Sequence, residues 1–183
     1  MTANKLIGHQ EFVSNNGSEL TLADLWPDSS IRAAIVGLNP APHSVNVGHY
    51  YQGRAGHRQL LRIAKAGLFD PSSAAFLDDA AVAAGVAFTD IVKTPTPGEK
   101  QVTMKQIQAG LPILEEALAS RRVPLIICVF RQPAHALLNI NRSSPGLLTQ
   151  RTRWGARVFR MPGPYVKLSD AARAMEQLKD ALS

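Results

Sequence analysis

The amino-acid sequence predicts an α/β fold, a three-layer α/β/α single domain with a central, mainly parallel four-stranded sheet. Short apolar runs typical of strands buried on both faces alternate along the chain with stretches of helical periodicity. Parallel strands that are joined by helices place those helices on both faces of one sheet. The 183 residues, of which 45% are hydrophobic, are enough for one domain with its own core.

The strands and helices follow in order from these patterns. Strands are expected at residues 32–37, 86–92, 125–130 and 158–161. Helices are expected up to Gly67, over residues 73–84, from Thr103 to about Ser120, over residues 132–140 and from Ser169 onward. We expect residues 1–30 to form an N-terminal arm of weak structure packed on the domain, and residues 31–183 to form the domain itself.

Particular residues shape the later helices. Thr103, followed three residues later by Gln106, is a capping-box signature. Gly110 and Pro112 should kink or split the helix that begins there. Residues 141–150 are polar and contain Pro and Gly, which predicts a loop. In the last helix, the residues expected to face inward are Ala172, Met175, Leu178 and Leu182.

Composition excludes several classes of protein. The single cysteine, Cys128, cannot support a disulfide framework, a cysteine-rich zinc site or an iron–sulfur cluster held by four thiolates. No apolar run approaches the roughly 18 residues of a membrane span, and the N-terminus lacks a signal-peptide pattern. We therefore expect a soluble, cytoplasmic protein that does not bind membranes.

The distribution of charge is uneven although the net charge of +6 is modest. No Asp or Glu occurs between Ser29 and Phe69 or between Ala117 and Ser169, and both stretches contain several arginines. Two such stretches favour a basic face that follows a phosphate backbone. The alternative is a set of scattered, solvated arginines.

The first predicted strand runs into a loop rich in polar and aromatic side chains. The carboxyl end of a strand in an open α/β sheet is where such folds bind ligands. Aromatic faces with a few polar groups suit a flat, hydrogen-bonding ligand such as a nucleobase, although an ordinary strand-to-loop turn has the same pattern. The loop offers the side chains of Asn39, His43, Ser44, His49, Tyr50 and Tyr51.

A stripe of arginines begins directly after this loop. Arg54, Arg58 and Arg62 stand at i, i+4 and i+8 of the next predicted helix, and therefore share one face. Such a stripe beside a ligand site could hold phosphates, and a solvated helix face is the alternative.

Four ordered segments together resemble the uracil-DNA glycosylase superfamily, in its mismatch-specific uracil/thymine branch. They are Gly37-Leu38-Asn39-Pro40, Gly48-His49-Tyr50-Tyr51, Thr89 to Gly98 and the loop from Met161 to Pro164. The likeness covers roughly residues 31–182 and implies a base-flipping, monofunctional DNA glycosylase that hydrolyses the bond between uracil and deoxyribose in DNA.

The resemblance also implies roles for individual residues. Asn39 positions the attacking water, Tyr51 stacks on the flipped base, and Ser44 lies near the base ring. Gly37, Leu38 and Gly163 complete the base pocket. The residues expected to contact DNA are Arg54, Arg58, Lys93, Pro164 and Tyr165.

Three departures from the family pattern affect these roles. Ala41 replaces a glycine that commonly follows Asn-Pro, and Gly163 stands where an amide or hydroxyl usually touches the base. Asp90 replaces a different residue in many members of the branch; it either assists Asn39 as base or caps the end of its strand. Tyr165 is the nearest candidate for the residue that wedges into the space left by the flipped base, with ordinary packing as its alternative.

The predicted function is excision of uracil, and of related deaminated or mismatched bases, at the start of base excision repair. The alternatives are a catalytically weak or inactive nucleic-acid-binding member of the superfamily and, with less support, an α/β enzyme acting on a small nucleotide. We expect double-stranded DNA as partner, a monomer, and no organic cofactor or metal, since the five histidines show no ligand spacing.

Overall fold

The computed structural model describes residues 5–14, 18–163 and 165–183. Its strands are β1 (Gln10–Ser14), β2 (Ser18–Leu22), β3 (Ala33–Gly37), β4 (Val86–Asp90), β5 (Leu125–Cys128), β6 (Gly146–Arg151) and β7 (Arg157–Arg160). Strands β3 to β7 form one five-stranded sheet in the order β4-β3-β5-β7-β6. Strands β3, β4, β5 and β7 are mutually parallel, which confirms the predicted α/β fold and its mainly parallel sheet.

The fifth strand of the sheet, β6, was not predicted. It pairs antiparallel with β7 at the edge of the sheet, within residues 141–150 that the sequence assigns to a loop. Its last three residues are exposed, so β6 lacks the apolar run that marks the buried strands. An edge strand needs no such run, because one side of it faces solvent.

Helices cover both faces of the sheet. They are α1 (Pro42–Val47), α2 (Arg54–Lys65), α3 (Leu77–Ala83), α4 (Met104–Ser120), α5 (Arg131–Leu138) and α6 (Leu168–Leu182), with a 3₁₀ turn at Glu99–Gln101. The short helix α1 lies where the sequence predicts an irregular loop, and a proline at its first position suits a helix start. None of the helices in these ranges has both the length and the apolar character needed to cross a membrane.

Two cores follow from the alternation of side chains along the buried strands. Ile35 and Phe88 point to the face covered by α2, α3 and α6. Val36 and Ala87, their direct neighbours in sequence, point to the face covered by α4 and α5. The predicted three-layer arrangement is therefore present.

Helix α4 is continuous from Met104 to Ser120, so the predicted split does not occur. Its capping box is formed, with the Thr103 hydroxyl accepting from the Gln106 N–H and the Gln106 side chain accepting from the Thr103 N–H. Pro112 lies inside the helix, and Gly110 faces the end of β4, where a Cβ would stand 1.8 Å from the Ile91 carbonyl oxygen. Packing of the helix against the sheet outweighs the local preference of Pro112 to break it.

The last helix differs in detail from its prediction. It begins at Leu168, and no side chain caps it, so Ser169 is not its N-cap. Its buried residues are Ala171, Ala174 and Leu178, whereas Ala172 is exposed.

The N-terminal residues are more ordered than the sequence predicts. Strands β1 and β2 form an antiparallel hairpin. The Thr21 hydroxyl donates to the Lys93 carbonyl at 2.6 Å. Leu25 then pairs with Phe88 of β4 through two backbone hydrogen bonds of 2.9 Å each. The segment is thereby attached to β4 and to the loop that follows it.

Candidate active site

The four parallel strands end at one edge of the sheet, and a cavity of about 300 Å³ lies there. It opens beyond the ends of β5 and β7 and is bounded by α2 on one side and the start of α5 on the other. Such a position, outside the carboxyl ends of parallel strands, is the usual ligand site of open α/β sheets. The cavity is lined by Tyr51, Ala55, Gly56, Arg58, Gln59, Arg62, Glu99, Val129, Phe130, Arg131, Gln132, Arg160, Met161 and Gly163.

Asn39 is held in one orientation at the end of β3. Its Nδ2 donates to the Thr94 carbonyl at 3.0 Å and to the Thr96 Oγ1 at 2.8 Å. Only the amide nitrogen can donate to a carbonyl, so the contact with Thr94 fixes which end of the amide points at the loop. The Oδ1 atom takes part in neither of these bonds and remains an acceptor, and Asn39 is not among the residues that line the cavity. This arrangement suits an amide that orients a water molecule.

Gly37, Asp90 and Tyr51 meet beside Asn39. A Cβ on Gly37 would stand 1.9 Å from the Asp90 Oδ1 and 2.7 Å from the Tyr51 hydroxyl oxygen. Both oxygens therefore occupy the space that a side chain at Gly37 would fill. The sequence predicted these three residues in one site, and the structure brings them together.

Asp90 is a buried carboxyl group with a strongly perturbed pKa. Burial raises the pKa of Asp90 to about 7, against a smaller lowering effect of the Lys93 ammonium and a raising effect of Asp24. Asp90 faces a second cavity of about 280 Å³ between β4 and α4. A carboxyl that titrates near neutral pH is suited to proton transfer.

The ammonium group of Lys93 is bound by other side chains of the protein. Its Nζ forms an ion pair with Asp24 and donates to the Thr89 Oγ1 at 3.1 Å. The structure thus places Lys93 in the second cavity with Asp90, among partners of its own, whereas the sequence assigned it to DNA contact.

Tyr51 is placed by its backbone and by α2. It adopts a left-handed φ of 58°, and its Cβ packs so close to Gly56 that a Cβ there would stand 3.0 Å away. Its ring lies 6.3 Å from that of Phe88. The Tyr51 hydroxyl is buried without a hydrogen-bond partner in the part of the chain that the structure describes. Burial and the nearby Asp90 raise the pKa of this hydroxyl well above its ordinary value, which keeps its proton available for donation.

Two predicted pocket residues have internal roles instead of lining the cavity. Ser44 is buried on α1, and its Oγ accepts from the Gln52 N–H at 3.0 Å, which holds the chain just after Tyr51. The Leu38 side chain packs in the core under α4 and α5.

Five polar residues that line the cavity were not predicted as site residues: Gln59, Glu99, Arg131, Gln132 and Arg160. Gln59 is buried and donates to the Pro162 carbonyl at 2.9 Å, so it ties α2 to the loop after β7. Gln132 donates to Glu99 at 3.2 Å, and its buried Oε1 has no partner among the described residues. Burial, with a smaller effect of the positive charge of Arg131, lowers the pKa of Arg160, and both arginines line the cavity. Only tertiary structure brings these residues to one cavity; their sequence positions carry no shared motif.

The rim of the cavity carries the remaining predicted residues. Arg58 lines the cavity and is exposed, as is Arg54 one turn earlier on α2. Tyr165 is 99% exposed on the loop after β7, close to Gly163 in the cavity wall. Pro164 lies outside the described residues. Arg58 therefore lines the cavity, with Arg54 exposed on the same helix and Tyr165 exposed two residues after Gly163.

Fold and site together define an α/β protein with an arginine-lined cavity at the carboxyl ends of its parallel strands. The chain belongs to the uracil DNA glycosylase superfamily, whose sequence profile matches residues 24–180. No curated protein sequence gives a match. Membership in the superfamily indicates a DNA glycosylase, an enzyme that hydrolyses N-glycosyl bonds, with DNA as its substrate.

Proposed function

We propose that this protein is a monofunctional DNA glycosylase that excises uracil from double-stranded DNA by base flipping and so initiates base excision repair. The observation that carries the proposal is the fixed amide of Asn39. Its Nδ2 donors are bound by Thr94 and Thr96, which leaves its Oδ1 as an acceptor for water. Asn39 follows two residues after Gly37, against which Asp90 and Tyr51 lie. A hydrolase of this superfamily needs such a group at this place.

Asn39 orients the nucleophile in the proposed reaction. Cleavage of the bond builds oxocarbenium character on the sugar and negative charge on the departing base. The Asn39 Oδ1 accepts a hydrogen bond from the water that attacks the sugar carbon. Because an amide is a poor general base, we assign the proton acceptor role to Asp90, whose pKa of about 7 suits it.

The cavity supplies the binding groups for the base. The Tyr51 side chain offers the aromatic surface, and the unpartnered Gln132 Oε1 can accept an N–H of the base. Arg131 and Arg160 give the cavity a positive potential, which favours the anionic leaving group. The carboxyl ends of the strands cannot insert between the stacked bases of a duplex. A base must therefore leave the duplex to enter this cavity.

The rim of the cavity would hold the duplex. Arg54 and Arg58 are exposed on one face of α2 and would neutralise phosphates on the flipped strand. The exposed Tyr165 is the proposed wedge that replaces the flipped base in the stack. Its ring does not pack against the part of the chain that the structure describes, since it is 99% exposed.

The first test is an excision assay. Wild type, Asn39→Ala and Asn46→Ala are incubated with an end-labelled duplex that carries one uracil opposite guanine, and the DNA is then cleaved with alkali. Asn46 is an exposed asparagine on α1 and serves as the matched control. Strand breaks are expected with wild type and Asn46→Ala, and a loss of at least 100-fold is expected with Asn39→Ala.

A panel of substrates separates the finer alternatives. Thymine opposite guanine, deaminated purines and single-stranded uracil are compared with the first duplex. Failure of the wild type on every substrate would overturn the glycosylase proposal.

One observation favours the alternative, a nucleic-acid-binding member of the superfamily without useful catalysis. Gly163 gives the cavity wall no polar side chain, and a Cβ there would meet only Val166 at 3.9 Å. A gel-shift titration with duplex DNA distinguishes this alternative, since it predicts tight binding that is indifferent to Asn39→Ala and no product on any substrate.

A further inference from the structure

A second cluster of titratable side chains lies where the N-terminal segment meets the loop before Tyr51. It consists of His9, His49, Asp78 and Asp79, and we refer to it as the His–Asp cluster. One ligand atom from each of these four side chains lies within 4.8 Å of the other three. The residues come from three separate segments: His9 precedes β1, His49 follows α1, and the two aspartates open α3.

Two glycines bring these segments together. Gly8 and Gly48 both have left-handed φ values, of 54° and 82°. A Cβ on Gly8 would stand 2.4 Å from the Gly48 carbonyl oxygen, and a Cβ on Gly48 would stand 2.2 Å from the Ile7 carbonyl oxygen. Only glycine allows this approach, which ends in a hydrogen bond of 2.7 Å from the His9 N–H to the Gly48 carbonyl.

The cluster is partly enclosed and supported by a second layer of contacts. Asp78 is 0% exposed, and its carboxylate also accepts the backbone N–H of Tyr50 at 2.8 Å and that of Asp79 at 3.1 Å. The His49 ring is buried and stacks on Phe76 with a centroid separation of 3.5 Å. Ligands that are oriented by outer contacts of this kind are typical of metal sites in proteins.

The separations within the His–Asp cluster, which involve both oxygens of each aspartate, lie on both sides of the value expected around one tetrahedral ion. Bonds of about 2.0–2.1 Å to zinc imply ligand–ligand separations of about 3.3–3.4 Å. The His49 Nδ1 lies 3.0 Å from an oxygen of Asp78 and 3.8 Å from one of Asp79. The His9 Nε2 lies 2.7 Å from an oxygen of Asp79 and 4.0 Å from one of Asp78. These four separations scatter around the tetrahedral value on both sides.

We propose that the His–Asp cluster binds one divalent transition metal ion, with Zn²⁺ as the best chemical match. Two imidazoles and two carboxylates are ligand types that zinc accepts. The two carboxylates would balance the charge of the ion. With four protein ligands the site has the closed composition of a structural metal site.

The bound ion would cross-link the N-terminal segment to the loop that carries Tyr50 and Tyr51. His9 belongs to the first of these, and His49 directly precedes the two tyrosines. This role is independent of the proposed glycosylase function, since the ion would not touch the cavity lining.

The test uses the untagged full-length protein, stripped of metal with a chelator and titrated with Zn²⁺ by calorimetry. Wild type should bind one equivalent. At a Zn²⁺ concentration 100-fold above the Kd, the Tm should rise by roughly 5–10 °C. Tetrahedral ligation should also appear as visible absorption when Co²⁺ replaces Zn²⁺.

Two ligand variants and one control define the site. Asp79→Asn keeps the size of a half-exposed side chain, and His9→Ala removes a partly exposed imidazole. Each should weaken Zn²⁺ binding at least tenfold and abolish the Tm shift. His43→Ala removes an exposed histidine of α1 outside the cluster and should bind like wild type.

Two results would overturn the proposal. One is the absence of Zn²⁺ or Co²⁺ uptake by the wild type at 100 μM metal. At this concentration even a weak site, with a binding free energy of about 5.5 kcal/mol, would be half occupied. The other is binding that the two ligand variants leave unchanged, which would place the metal elsewhere on the surface.

Discussion

Replacement of Asp90 by Asn should remove a pH-dependent loss of stability. The pKa of Asp90 is raised from 3.8 to about 7 by burial. Between these two pH values the folded protein keeps the proton and the unfolded chain has released it, so the free energy of unfolding falls as pH rises. Each pH unit corresponds to about 1.4 kcal/mol. The stabilisation that arises because folded Asp90 keeps its proton is complete below pH 3.8 and is lost once the pH passes 7.

The expected difference in the free energy of unfolding follows from the part of this pH range over which unfolding can be measured. From pH 5 to pH 8 the wild type should lose about 3 kcal/mol more than Asp90→Asn, because two pH units lie below the folded pKa. For a chain of this size, that difference corresponds to a change in Tm of roughly 6–12 °C. Thermal and urea unfolding at pH 5, 6, 7 and 8 would give the two slopes.

A control variant and a rate measurement complete the experiment. Asp180→Asn removes an exposed carboxylate on α6 and should follow the wild-type slope. If Asp90 is also the general base, the wild-type excision rate should fall tenfold per pH unit below 7, and Asp90→Asn should be slow at every pH. Parallel stability slopes for wild type and Asp90→Asn would refute the assignment of a raised pKa to this group.

Three further substitutions test other parts of the site. Thr96→Val removes one acceptor of the Asn39 amide, so single-turnover excision should slow by a few-fold to tenfold with DNA affinity unchanged; an unaltered rate would contradict the orienting role. Gly37→Ala should lower the free energy of unfolding, measured in urea, by about 1–3 kcal/mol, because the added Cβ would collide with Asp90. Adding Asp90→Ala to the same chain should restore part of this loss. Arg58→Ala should reduce the slope of log Kd for DNA against log salt concentration by about 1. Arg151→Ala, in β6 beside the amino end of β7 and away from the cavity, should leave the slope unchanged. Equal slopes for the two variants would show that Arg58 does not contact DNA.

The buried strands and the main helices were predictable because their sequence signals are local. Strands β3 and β5 are short apolar runs, and the capping box of α4 is read directly from Thr103 and Gln106. The strand β6 was missed because an exposed edge strand has no apolar run, and the continuity of α4 was missed because packing overrides the preference of Pro112.

The site was only partly predictable for a related reason. Asn39, Gly37, Asp90 and Tyr51 follow strand ends or a recognisable motif. The structure places Gly37 against Asp90 and Tyr51, with Asn39 two residues further along the chain. Gln132 and Arg160 reach the cavity only through the order of strands in the sheet, which no local pattern encodes. The same holds for the His–Asp cluster, because the spacing of His9, His49 and Asp78 along the chain resembles no metal motif.

The pairing of Leu25 with Phe88 has a consequence for how the protein behaves in solution. Strand β4 is the outermost strand on its side of the sheet, and all five of its residues are buried. An uncovered apolar edge of this kind is a template for strand addition from a neighbouring molecule. By occupying the backbone groups of Phe88, the N-terminal segment shields that edge. A chain shortened to begin after Leu25 should therefore self-associate, with aggregation that rises with protein concentration.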